Sequence, residues 1–131
     1  MKIYLAARYG RKHEMQEYAS YLETIGHIIT SRWLVSHEAE ETKANYNAYY
    51  EVLETYALED LEDVDRAEAV VSFTHKRGTP VSGGGRHVEF GYGYARGKRM
   101  IIIGEKEHIF HHLPMVEIYP SFDDWKEMEI K

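Results

Sequence analysis

The chain has 131 residues, no cysteine, and 16 Lys+Arg against 22 Asp+Glu for a formal net charge of -6. That length suits one domain spanning 1–131, with a three-layer core and no room for a second domain. The missing cysteines exclude disulfides, thiolate catalysis and cysteine-based metal sites. The acidic balance repels long polyanions, so no nucleic-acid polymer is expected as a partner, while a small basic pocket remains compatible with a single phosphate.

No apolar run approaches the ~18 residues of a membrane span. Lys2 is followed only by "IYLAA" before Arg8, unlike an exported leader. The expectation is a cytoplasmic protein without a membrane partner. "KIYLAA" reads as a central strand feeding a tight turn, and Met15, Tyr18, Ala19 and Leu22 recur at helical spacing until Gly26. "HIITSRWL" is β-branched and aromatic, hence the next strand.

From Ser36 to Tyr56 the chain is polar with scattered aromatics, read as a loop and then a helix from near Asn47. Its Tyr46, Tyr49 and Tyr50 are equally suited to lining a pocket and to packing on the next helix. "YALEDLEDVDRAEAVVSF" sets Leu58, Leu61 and Val64 on one helical face before a strand. Asp60 shares a face with Val64, whereas Asp63 is expected to turn to solvent.

"THKRGTPVSGGG" is a loop by composition. A small-residue helix follows from Arg86 to Gly97, then "RMIIIG" as a strand, a short helix or turn at His108 to His112, "MVEIY" as the last strand and "SFDDWKEMEIK" as a closing helix. Ser121 and Asp124 have the spacing of an N-terminal cap. Strand alternating with helix predicts an α/β fold, a flavodoxin-like (Rossmann-like) doubly wound five-stranded parallel sheet in three α/β/α layers. Ligands of such sheets bind beyond the carboxyl ends of the strands, at the switch in strand order.

Gly83, Gly84 and Gly85 allow backbone amides to converge on an anion or a sugar hydroxyl ahead of a helix N-terminus, and a glycine hinge has the same composition. Neither G-x-G-x-x-G after the first strand nor G-K-[ST] is present. Glu89 lies near the start of its helix, where the dipole favours negative charge. Gly91 and Gly93 around it weaken that helix by ~1 kcal/mol each relative to alanine, which points to close packing or to an approaching ligand. A carboxylate held in a crevice can attack an anomeric carbon through an oxocarbenium-like state. His108 and His112 are four apart, but H-E-x-x-H requires a glutamate that "HIFHH" lacks, so no metal and no cofactor are expected. His87 stands out only by its position two residues before Glu89.

Three stretches, "MKIYLAARYGRKHEMQEYASYLETIGHIITSRWL", "ALEDLEDVDRAEAVVSF" and "GGGRHVEFGYGYARGKRMIII", resemble the nucleoside 2-deoxyribosyltransferase superfamily, which includes deoxynucleoside 5'-monophosphate N-glycosidases. The resemblance covers nearly the whole chain. It implies that Glu89, with Gly85 and Gly91 in the matching pattern, is the nucleophile, and that Asp60 in "EDLEDV" assists at the base. It also implies that Ala7, Arg8, Tyr9 and Arg11 hold sugar or phosphate. Tyr9 is expected to orient the glutamate, Trp33 in "SRW" to stack the base, and Ser82, Gly83, Gly84, Gly85 and Arg86 to bind substrate.

The implied partners are a nucleoside or nucleotide, a free nucleobase, and further copies of the chain in a homodimer or larger assembly, with Tyr92 and Tyr94 suited to the interface. No acid precedes the glutamate loop where transferases carry an aspartate, and Ser82 lies seven residues before Glu89 where the hydrolases have a serine about six before. A loop with His75, Lys76 and Arg77 suits a phosphate through charge-assisted bonds and equally has the composition of a solvated lid, the substrate-facing reading being favoured. Transfer and hydrolysis both remain open, with hydrolysis of a nucleotide favoured. The alternative is a non-enzymatic flavodoxin-like module that binds a nucleotide or flavin as a sensor.

Overall fold

The computed structural model describes residues 1–37, 46–75 and 84–129. Lys76, Arg77, Ser82, Gly83 and the side chains of Tyr46 and Tyr49 lie outside the described residues. Strands β1 (Lys2–Ala6), β2 (Ile28–Ile29), β3 (Ala69–Phe73), β4 (Arg99–Ile103) and β5 (Glu117–Tyr119) form one sheet in the order β2-β1-β3-β4-β5. Every pairing is parallel, with Ile3 opposite Ala69, Val71 opposite Ile101 and Ile102 opposite Ile118. The three middle strands are apolar runs because helices cover both of their faces. Accordingly Ile3 to Ala6, Ala69 to Phe73 and Met100 to Ile103 are all buried. The switch in strand order falls between β1 and β3, as in the expected doubly wound topology.

Helices α1 (Lys12–Thr24) and α5 (Phe122–Glu129) share one face, where the Tyr18 ring stacks on Phe122 at 4.0 Å and on Phe73 at 5.4 Å. Helices α3 (Tyr46–Arg66) and α4 (Gly85–Ala95) pack together against β1 on the other face. Ser121 caps α5, its Oγ accepting from the Asp124 amide at 3.1 Å and donating to the Asp124 carboxylate at 2.7 Å. No helix among the described residues is long and apolar enough to cross a membrane.

Three local expectations are corrected. "HIITSRWL" leaves the sheet after Ile29, and Trp33–Ser36 form a short helix, α2. Side chains take over from the ladder there: Ser31 Oγ accepts from the Leu5 amide at 3.2 Å, and Trp33 Nε1 donates to the Leu5 carbonyl at 2.7 Å. Leu58 is 63% exposed, because the buried residues at this end of α3 are Asp63 and Val64. Asp63 itself is buried, not solvated.

Gly93 is where α4 touches the sheet. A Cβ there would stand 2.8 Å from Val70 Cγ2 and 3.3 Å from Met100 Sδ, whereas one on Gly91 would meet nothing within 4 Å. The two glycines therefore separate packing from helix propensity. Gly91→Ala is expected to stabilise the protein by up to ~1 kcal/mol. Gly93→Ala is expected to destabilise it by about 1 kcal/mol, overpacking outweighing the gain in propensity. Urea midpoints of the two variants read the signs directly; a stabilised Gly93→Ala would refute the close contact.

Candidate active site

The centre of the α3/α4 face is polar although it rests on a buried strand. Tyr4 of β1 is fully buried, and its hydroxyl is turned to the Glu89 carboxylate, short of regular hydrogen-bond geometry. Burial first, then the charges of Glu89 and Asp60, push the Tyr4 phenol well above its usual pKa, so that it stays a donor. Glu89, one turn into α4, is half-buried with one carboxylate oxygen shut from solvent. Asp60 of α3 also has one oxygen shut from solvent and a side chain 21% exposed. A donor phenol and two carboxylates thus converge from β1, α3 and α4. The entry to α4 depends on Gly84, whose φ of +92° places the chain in the left-handed region that glycine tolerates.

His37 adds to this group. It is 1% exposed, stands 3.5 Å from Asp60 and 3.9 Å from Glu59 through Nε2, and stacks on Tyr56 at 3.9 Å. Asp63, one turn beyond Asp60, accepts from the Arg32 amide and Arg32 Nε, both at 2.9 Å, and pairs with Arg66. This clamp ties α3 to the start of α2, the helix whose C-cap is His37.

The other residues singled out from the sequence fall elsewhere. A cavity of about 1010 Å3 opens past the ends of β1, β3 and β4 on the α1/α5 side, lined by Arg8, Arg11, His75, Gly104, Pro120 and Phe122 among others. Tyr4, Asp60 and Glu89 are not part of its wall. Arg11 is held by Glu14 through bonds of 2.7 and 2.8 Å and by the Thr74 carbonyl at 3.1 Å, while Arg8 carries no ion pair among the described residues. The hydrogen bonds of Arg11 outweigh burial and keep Glu14 below the usual carboxylate range.

Ala7 packs against the core, and the Tyr9 ring lies 6.4 Å from Trp33 beneath Lys12. The Trp33 indole is buried against β1. Gly84 and Gly85 open α4, and Arg86 is buried with both terminal nitrogens on Glu107, Nη2 at 2.7 Å. Burial opposes the ionisation of Glu107, but the hydrogen bonds and charge of Arg86 prevail and lower its pKa.

Tyr4 and His37 escaped the sequence reading, and Asp63 was read as a solvated acid. Tyr4 left a signal: a tyrosine in a strand buried on both faces must bring its hydroxyl to a polar partner.

No family model and no curated protein matches the chain. Among solved structures it is similar to a CMP N-glycosidase of Clostridium botulinum, BcmB, at 18% identity and a TM-score of 0.62, over 97% of this chain and 96% of that one. The likeness shows a shared flavodoxin-like α/β fold across nearly the whole length of both chains.

Proposed function

We propose that this protein breaks the N-glycosidic bond of a 2'-deoxynucleoside or its 5'-monophosphate through a covalent sugar ester on Glu89. The observation that carries the reading is the half-buried Glu89 carboxylate facing the buried Tyr4 hydroxyl at the α3/α4 face, with the charge of Asp60 acting on the same phenol. In the first step a Glu89 oxygen bonds to C1' as the C1'–N bond breaks, and the electron pair leaves with the base through an oxocarbenium-like state. Asp60 hydrogen-bonds the departing base, which takes up a proton from solvent. Water then adds its oxygen at C1' and gives up a proton to solvent, freeing the sugar and the carboxylate; a second base that adds through its nitrogen and loses its N–H proton in place of water completes a transfer.

Tyr4 is a positioning residue in this scheme, its phenol proton directed at the carboxylate, and Tyr9 shares that role by the family resemblance. Hydrolysis of a 5'-monophosphate is the favoured form, because the similar structure is that of a nucleotide N-glycosidase. A homo-oligomer closing the crevice belongs to the same reading.

The test incubates purified protein with dCMP, CMP and deoxycytidine, and with the corresponding adenine, guanine and thymine or uracil compounds, each with and without a second free base. Release of base together with a sugar 5-phosphate is expected. A new nucleoside or nucleotide in the presence of the second base would assign transfer instead. No base release from any of these substrates would overturn the proposal, and a yellow chromophore copurifying with such inactive protein would favour the flavin-binding module.

A further inference from the structure

Away from Glu89, the segment after β4 folds back onto the first turns of α4 and gathers imidazoles. His87 comes from α4, His108 precedes the 3-10 turn Ile109–His112, and His111 lies within that turn. One ring nitrogen from each of the three lies within 4.8 Å of the other two. His87 Nδ1 and His108 Nε2 are 3.0 Å apart, and the His108 and His111 rings lie 3.9 Å between centroids. His112, the residue paired with His108 by sequence spacing, is exposed, whereas His111 is 1% exposed.

We propose that His87, His108 and His111 form a binding site for a divalent transition ion of the zinc class, clipping the segment after β4 to the first turns of α4. Imidazole nitrogen is the ligand type such ions prefer, and three histidines with an open fourth position for water are a known zinc arrangement. Ligand atoms bonded at 2.0–2.1 Å to a tetrahedral ion stand about 3.3 Å apart, so the 3.0 Å His87–His108 edge is already near the required spacing.

His111 Nε2 is buried with no hydrogen-bond partner among the described residues, an imbalance that proteins normally avoid and that an ion bound at that nitrogen would remove. Burial lowers the pKa of His87 and takes that of His111 down to about 4. The nearest strong charges cancel, since Arg86 is paired with Glu107. In the ion-free protein the Glu107 amide donates to His111 Nδ1 at 3.0 Å. An ion that binds through that nitrogen displaces this one hydrogen bond. The His87–His108 contact needs only a tautomer shift, with the shared proton moving to the other nitrogen of its ring.

The site does not depend on Glu89 being a nucleophile, and its test does not involve turnover. Tag-free protein is stripped with a chelator, dialysed and titrated with Zn2+ by calorimetry and with Co2+ by visible absorption. The expected result is one ion per chain, the intense absorption of a four- or five-coordinate Co2+ centre, and a rise in unfolding midpoint that excess chelator reverses. His108→Ala and, separately, the milder His87→Gln are expected to weaken binding by about 100-fold or more, at or beyond the top of the 10–100-fold range typical for residues that merely support metal ligands. The chain has eight histidines, so binding that survives in both variants would assign the ion to other imidazoles and overturn the proposal. Wild-type protein showing only the pale spectrum of octahedral Co2+, or no ion bound, would overturn it without any variant.

Discussion

Glu89→Gln is expected to lower turnover of the preferred substrate by at least about 10³-fold while leaving the unfolding midpoint nearly unchanged. An amide of the same shape keeps the packing on Tyr4 but cannot form the ester to C1', so the loss falls on the chemical step. A substrate carrying fluorine at the 2' position slows breakdown of the ester. Wild-type protein should then gain the mass of the sugar on the peptide containing Glu89, and the Gln variant should not. Glu89→Ala should recover part of its activity with azide, which takes the vacated space, attacks C1' and leaves as glycosyl azide. Tyr4→Phe keeps the nucleophile and removes its donor; a fall in kcat of about 10–100-fold with little change in KM is expected for a positioning role. Undiminished turnover in Glu89→Gln would end the covalent scheme and with it the assignment of Asp60.

How much of this was legible in the sequence depends on how local each determinant is. β1, β3 and β4 could be read directly because strands buried on both faces are continuous apolar runs. The cap at Ser121 was legible because its partner, Asp124, is three residues away. β2 ended early because Ser31 and Trp33 bond to Leu5 across the fold, a contact that no periodicity encodes. Asp63 looked like one more acid on a solvated helix; the return of Arg32 toward α3, together with Arg66, makes its burial tolerable.

Glu89 and Asp60 were named through family resemblance, since charge spacing alone does not choose among the acids of "EDLEDV". The three-histidine group was invisible for a related reason. His87 and His108 are 21 residues apart and meet only because β4 carries the chain back past α4.

Asp63→Ala is expected to cost about 2–3 kcal/mol of stability, the largest loss foreseen for any single polar side chain here. Its carboxylate is 0% exposed and receives the Arg32 amide, Arg32 Nε and Arg66. Truncation strands that amide and leaves a cavity. The figure stays below the 3–5 kcal/mol of a wholly buried pair because the Arg32 and Arg66 side chains are 39% and 50% exposed and recover water. Asp63→Asn retains a carbonyl oxygen for the amide and loses only the charge, so its cost should be about half as large. Urea unfolding at neutral pH gives both values.

The consequence reaches the candidate site through the backbone. The clamp fixes the start of α2, His37 follows the last residue of α2 as its C-cap, and His37 stands 3.5 Å from Asp60. At a temperature where Asp63→Ala remains folded, kcat should therefore still fall, whereas a purely global destabilisation would leave the folded fraction fully active. A change in stability of less than about 0.5 kcal/mol would place Asp63 among ordinary surface substitutions and remove the link between the clamp and Asp60.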